Sequence, residues 1–335
     1  MHSDKVIKAF KILGERLHKI TPETKNELLD DCCNSNPWFT KSSTEAALEG
    51  IITMLSQDLK AWVNTYNFSS PRPVNVGVVL AGNIPAVGFH DLLCVLVSGN
   101  NLMAKLSDKD NRLMRFLIEQ LIAIEPKLKT RIKVVDKLET IDAVIATGSD
   151  NTARYFEYYF RKYPHIIRKN RTSVGILSGA ENQMDFRELA KDIFLYFGLG
   201  CRNISKLYAP NGYDLTKILA AFEDYPKLIH HHKYRNNYDY NKSIYLVNKE
   251  PHLDNGVVLF KQDQSLVSPI AVVYYDFYSS NDELEQHLST YRSKIQCIVS
   301  KEAEWPGSIP FGQAQAPGLT DYADGVDTMQ FLSKL

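Results

Sequence analysis

Long apolar runs are absent. No stretch approaches the roughly 20 apolar residues that a membrane-spanning helix needs, although 44% of the 335 residues are hydrophobic. An excess of either charge is absent too. The 39 Lys and Arg equal the 39 Asp and Glu, so no basic field exists to hold nucleic acid or an anionic membrane, and only a local basic pocket could attract a phosphate. Cysteine is sparse. The five residues, Cys32, Cys33, Cys94, Cys201 and Cys297, show no CxxC spacing. That pattern excludes a disulfide framework and a thiolate zinc site, and it implies a reducing compartment. Nothing has the residue order of a signal peptide, and neither GxGxxG nor GxxxxGK[ST] occurs. These absences predict a cytoplasmic α/β protein with room for two lobes.

What is present has a clear rhythm. Residues 1–67 read as helical, with Val6, Ile7, Phe10, Leu13 and Leu17 at helical spacing and a second periodic segment over 45–62. Ser70, Pro71, Arg72 and Pro73 break the pattern. The period then changes. Val74, Val76, Val78, Val79 and Leu80 form a short β-branched run that empties into Ala81-Gly82-Asn83-Ile84-Pro85. A helix is expected over 86–97, a strand over 101–106, a helix over 110–124, and strands over 131–135 and 141–146. The last strand meets Thr147-Gly148-Ser149-Asp150 and a helix over 151–162. Strands alternating with helices predict a doubly wound parallel sheet. The loops at Gly82-Asn83, 105–108 and Gly148-Ser149 should converge at its carboxyl edge, where such sheets bind ligands. Residues 211–249 are polar and tyrosine-rich and give no firm period.

Cys201 stands out among the chemical candidates. It follows Tyr196-Phe197-Gly198-Leu199-Gly200, a glycine-rich turn after an aromatic amphipathic segment. A structural cysteine needs no such turn, whereas a nucleophilic thiol gains from close substrate approach and nearby N–H groups. Thr147-Gly148-Ser149 sits at a helix N-terminus that could hold a phosphate, or Ser149 could simply cap the helix. Lys105 reads either as a solvated lysine or as a donor to a nucleotide. His230, His231 and His232 are consecutive and cannot all face one ion, so no metal is expected. His90 reads as a satisfied histidine, and Arg168, Lys169 and Arg171 as a solvated basic face.

Taken in order, these segments resemble the aldehyde dehydrogenase superfamily. Asn83-Ile84-Pro85 resembles its Asn-x-Pro turn. Gly99-Asn100 followed by Lys105-Leu106-Ser107-Asp108 resembles its Gly-Asn and Lys-x-Ser-acid segments. Thr147-Gly148-Ser149 is similar to the loop under the cofactor pyrophosphate, and Gly198-Leu199-Gly200-Cys201 to the nucleophile loop. Ser268-Pro269-Ile270 and Pro310-Phe311-Gly312-Gln313 resemble two later motifs. The resemblance covers about residues 70–335. It implies a nicotinamide-cofactor domain over 1–172 and a smaller α/β catalytic domain over 173–335, whose C-terminal segment closes the site.

Two departures narrow the reading. The superfamily glutamate that activates hydrolytic water has no counterpart over 165–175, and the place of the ribose-binding glutamate falls near Ser265, where no glutamate stands. An enzyme that reduces its acyl-cysteine instead of hydrolysing it needs no such base. The short acyl-CoA reductase (LuxC-like) branch fits, and the ending over 313–328 is similar to that group's. The resemblance implies reduction of an acyl thioester, from coenzyme A or an acyl carrier, to an aldehyde. Cys201 would be the nucleophile and Asn83 an oxyanion donor. Lys105, Ser107, Asp108, Thr147, Gly148 and Ser149 would hold NADPH, although Asp108 could favour NADH. A homo-oligomer or an acyl-transfer partner is compatible with this. Acyl phosphate reduction and a lapsed scaffold of the same fold are the alternatives.

Overall fold

The computed structural model describes residues 2–68, 72–222 and 225–335, so Ser70 and Pro71 of the expected breaker lie outside the described residues. The chain forms two compact units, residues 1–170 with 317–335, and residues 171–316.

In the first unit, strands β1 (Asn75–Val79), β2 (Asn101–Lys105), β3 (Ile132–Val134), β4 (Ala143–Thr147) and β5 (His165–Arg168) form a parallel sheet in the order β3-β2-β1-β4-β5. Val76, Val78, Leu102, Ala104, Val144 and Ile145 are buried, as expected of strands covered on both faces. Helices Phe89–Val97, Asn111–Ile124 and Asp150–Phe160 follow β1, β2 and β4. The chain runs outward from β1 through β2 to β3, then returns to β4 on the other side. The topological switch point is therefore the crevice between the carboxyl ends of β1 and β4.

Among the described residues four helices precede the sheet: His2–His18, Pro22–Ser35, Lys41–Ser56 and Leu59–Asn64. The periodic segment expected over 45–62 is two helices, because the Asp58 carboxylate accepts the N–H groups of Lys60 and Ala61 and starts a new one. Phe10 and Leu13 are buried in the same core as helix Phe89–Val97, with Phe10 edge-on to Phe89 at 6.1 Å. The C-terminal residues join that core as well. Tyr322, Met329 and Leu332 are buried in it, and the Tyr322 hydroxyl accepts from Trp62 Nε1 at 3.0 Å. A boundary at 172/173 with everything after it in one domain therefore misplaces residues 317–335: their apolar side chains are buried in the first unit.

The second unit repeats the α/β rhythm with seven strands, β6 (Thr172–Ile176), β7 (Ile204–Pro210), β8 (Leu253–Asp254), β9 (Leu259–Gln262), β10 (Val272–Tyr278), β11 (Ile295–Ser300) and β12 (Ile309–Pro310). Their order is β12-β11-β6-β7-β10-β9-β8, parallel throughout except for β8. Among the described residues, no helix is long and apolar enough to cross a membrane.

Candidate active site

The nucleophile loop is built by the helix before it. Helix Gln183–Phe194 starts with a reciprocal cap, in which the Asn182 side chain accepts from Met184 N and Asp185 N while the Asp185 carboxylate accepts from Asn182 N. Its end is followed by three left-handed residues, Phe197 (φ 58°), Gly198 (84°) and Gly200 (92°). Glycine takes such angles freely, whereas a phenylalanine is strained there. Phe197 is held by burial and by stacking on His231 at 4.4 Å. This turn presents Cys201, which is half-buried and in no disulfide, just before β7. Its carbonyl oxygen accepts from Ser173 Oγ at 3.0 Å, and the same oxygen of Ser173 accepts from Cys297 N at 3.1 Å. Ser173, fully buried on β6, thus ties the loop to both β6 and β11. Burial raises the thiols of Cys32 (to about 12), Cys33, Cys94 and Cys297, which keeps them protonated.

A second anchor lies on the same helix. Asp192 is fully buried and accepts from Gly312 N at 2.7 Å and Ala314 N at 2.9 Å. It fixes the Pro310-Phe311-Gly312-Gln313 segment to the helix that carries the nucleophile turn. Burial raises its carboxyl to about 7, against the pull of the two N–H donors. Neither Ser173 nor Asp192 was legible as functional from sequence. The available signal was an aspartate between Leu189 and Ile193 on the apolar stripe of an amphipathic helix.

In the first unit the seven other candidates line one sheet edge, at the carboxyl ends of β1, β2 and β4. Asn83 is exposed in the loop after β1. Gly82 beside it has no room for a side chain, since a Cβ would fall 2.5 Å from Ser107 Oγ. The loop is fixed further by Asp110, which is buried, raised to about 8 by that burial, and accepts from Ala86 N at 2.8 Å. Lys105 is exposed and donates to the Asp136 carbonyl at 2.9 Å, a neutral partner that leaves its charge uncompensated by that bond. Ser107 accepts from Lys109 N, and Asp108 is exposed. Thr147 and Gly148 are half-buried. A Cβ on Gly148 would lie 2.9 Å from Thr152, and its N–H donates to Arg168 O at 3.3 Å. Ser149 caps helix Asp150–Phe160 by accepting from Thr152 N.

Other candidates take structural places. His90 Nε2 donates to the Leu319 carbonyl at 3.0 Å. His231 accepts from Tyr234 N and caps helix His232–Val247. Arg168 is no solvated residue: it is 3% exposed and forms a bidentate pair with Asp91. Phe194, Tyr196 and Phe197 are core residues, Phe194 packing on Phe222 at 5.0 Å. The cavity beside Phe194 and Gly198 measures about 10 Å³, room for one water and no acyl chain.

The sequence pattern of the family described as acyl-CoA reductase (LuxC) matches residues 23–215. The chain belongs to the LuxC acyl-CoA reductase family. No curated protein matches it. Among solved structures, the NAD+ complex of an aldehyde dehydrogenase from Bacillus cereus is 12% identical, with a TM-score of 0.61 over 90% of this chain and 72% of that one. Aldehyde dehydrogenase 21 from Physcomitrella patens, complexed with succinate, is 12% identical and superposes with a TM-score of 0.66 over 100% of this chain and 84% of its own. A histidine-to-alanine variant of the propionaldehyde dehydrogenase from the Clostridium phytofermentans fucose utilisation microcompartment is 8% identical, with a TM-score of 0.62 over 94% and 82%. This LuxC-family chain therefore has the aldehyde dehydrogenase fold.

Proposed function

We propose that this LuxC-family protein reduces a fatty acyl thioester to the aldehyde with NADPH, through an acyl group carried on Cys201. The observation that carries the reading is Cys201 at the end of a left-handed glycine turn, in a family described as acyl-CoA reductases. The Cys201 thiolate attacks the thioester carbonyl. A new sulfur–carbon bond forms, the bond to the coenzyme A or carrier sulfur breaks, and that thiolate leaves to take up a proton. The Cys201 N–H would stabilise the oxyanion, and the resemblance to aldehyde dehydrogenases implies the Asn83 amide as a second donor.

Two electrons and a proton, transferred together as hydride, then take the acyl-cysteine to the alkoxide of a hemithioacetal, which releases aldehyde and expels the Cys201 thiolate. When bound, a reduced nicotinamide supplies those electrons. The switch-point crevice is where such a sheet would take a dinucleotide, and the loops at its rim are closely packed: a Cβ on Gly82 or Gly148 would meet Ser107 or Thr152. Gly148 and Ser149 would hold the pyrophosphate at the N-terminus of helix Asp150–Phe160. Lys105 would meet the adenosine ribose or its 2′-phosphate, with Ser107, Asp108 and Thr147 beside it, and Asp108 would weigh towards NADH. The NAD+-bound aldehyde dehydrogenase among the neighbours supports a nicotinamide cofactor.

Residues 165–175 contain no carboxylate, and the buried Arg168 there is already paired. Without a carboxylate in that segment to activate water, the acyl group would survive to be reduced. Alkylation near pH 7 tests the reading. Cys201 should label faster than the other four cysteines and be protected by acyl-CoA, whereas slow, unprotected labelling would overturn it.

A further inference from the structure

The opposite, amino-terminal edge of the first unit's sheet carries a cavity of about 730 Å³. Its walls come from the segment before β1, from residues 98–101 leading into β2, from the segment before β3 and from the C-terminal helix. It is within the size range of small-molecule sites, yet it lies away from the carboxyl edge discussed above.

Its chemistry is one-sided. Arg72, Lys127 and Arg131 line it, and among the described residues no Asp or Glu does. Arg131 is half-buried, and burial lowers its guanidinium pKa. Its Nη2 donates to the Leu96 carbonyl at 3.1 Å and the Asn100 carbonyl at 2.5 Å, while its buried Nε has no partner. Among the described residues no carboxylate forms an ion pair with Arg131, although half-buried cations ordinarily have one. The carbonyls explain where Arg131 points but leave its charge, and that of Lys127, without an anion. Phe68, Pro73 and Leu332 supply an apolar wall beside the cations.

We propose that this cavity binds a small organic phosphate, the phosphate meeting Lys127 and Arg131 and the organic part lying against Phe68, Pro73 and Leu332. Two cations suit a doubly charged phosphate better than a single carboxylate. The site is independent of the chemistry proposed for Cys201.

The test is calorimetric titration of the full chain with adenosine 5′-monophosphate and with inorganic phosphate at low ionic strength. Saturating NADPH is present to fill the carboxyl edge. Wild type should bind the nucleotide, Lys127→Glu should weaken it by about tenfold or more, and Lys19→Glu, an equal charge change at an exposed residue just after helix His2–His18 and away from the cavity, should not. No nucleotide binding at millimolar concentration, or equal weakening by both variants, would overturn the proposal. Inorganic phosphate binding as tightly as the nucleotide would overturn its organic half and assign free phosphate instead.

Discussion

Replacing Asp91 by alanine isolates what one buried ion pair does for this fold. Arg168 Nη2 donates to Asp91 Oδ1 and to Thr328 Oγ1, each at 2.9 Å, and Nη1 pairs with Asp91 Oδ2. The two side chains join helix Phe89–Val97, β5 and the C-terminal helix Thr328–Leu332. Arg168 and Asp91 are 3% and 7% exposed. Burial opposes the Arg168 charge, but Asp91 outweighs it and raises the pKa; without Asp91 the guanidinium still stays charged, because its ordinary pKa lies far above neutral. Its Nε already lacks a partner, leaving the Thr328 hydroxyl as the named acceptor. An uncompensated buried charge costs about 3–5 kcal/mol, or a fall in Tm on the order of 10 °C. Removing both charges with Asp91→Leu and Arg168→Met removes the penalty, so the double variant should unfold within about 2 kcal/mol of wild type. Thermal unfolding followed by circular dichroism reads both values. A loss below about 1 kcal/mol in Asp91→Ala, or a double variant less stable than the single one, would refute the reasoning.

Asp192 makes stability depend on pH. Its carboxyl titrates near 7 when folded and near 3.8 when exposed, so its contribution is fully present below about pH 4 and is lost as pH rises through about 7. Relative to Asp192→Asn, wild type should therefore lose Tm between pH 4 and pH 7, and a flat difference would contradict the assignment. Gly82→Ala forces the loop after β1 away from Ser107; it should destabilise by about 1–3 kcal/mol and weaken NADPH binding in a fluorescence titration.

Much of the first unit was readable because its strands obey simple rules. The valine run over 74–80 is β1, and the breaks at Gly82-Asn83, Ser98-Gly99 and Gly148-Ser149 are where elements end. The second unit was harder. Helix His232–Val247 buries Tyr234, Tyr238, Asn241 and Tyr245, a stripe made of polar-tipped residues that apolar periodicity does not count. The polar ends of Tyr234, Tyr238 and Asn241 are satisfied at Val257 O, Asp254 and Ile270 O, partners outside the helix. The return of residues 317–335 to the first unit was equally hidden, since it rests on Trp62, Tyr66 and Arg168 meeting Tyr322, Asp327 and Thr328. The glycine turn before Cys201 was visible because it is local, whereas Ser173 and Asp192 hold their neighbours through contacts that no local pattern reveals.

Oxidation of NADPH with a series of acyl-CoAs, compared between wild type and Cys201→Ala, bears on the chemistry most directly. The prediction is aldehyde formation with one favoured chain length in wild type and none in the variant. Turnover that survives in Cys201→Ala, or a wild type that binds neither NADPH nor acyl-CoA, would contradict it.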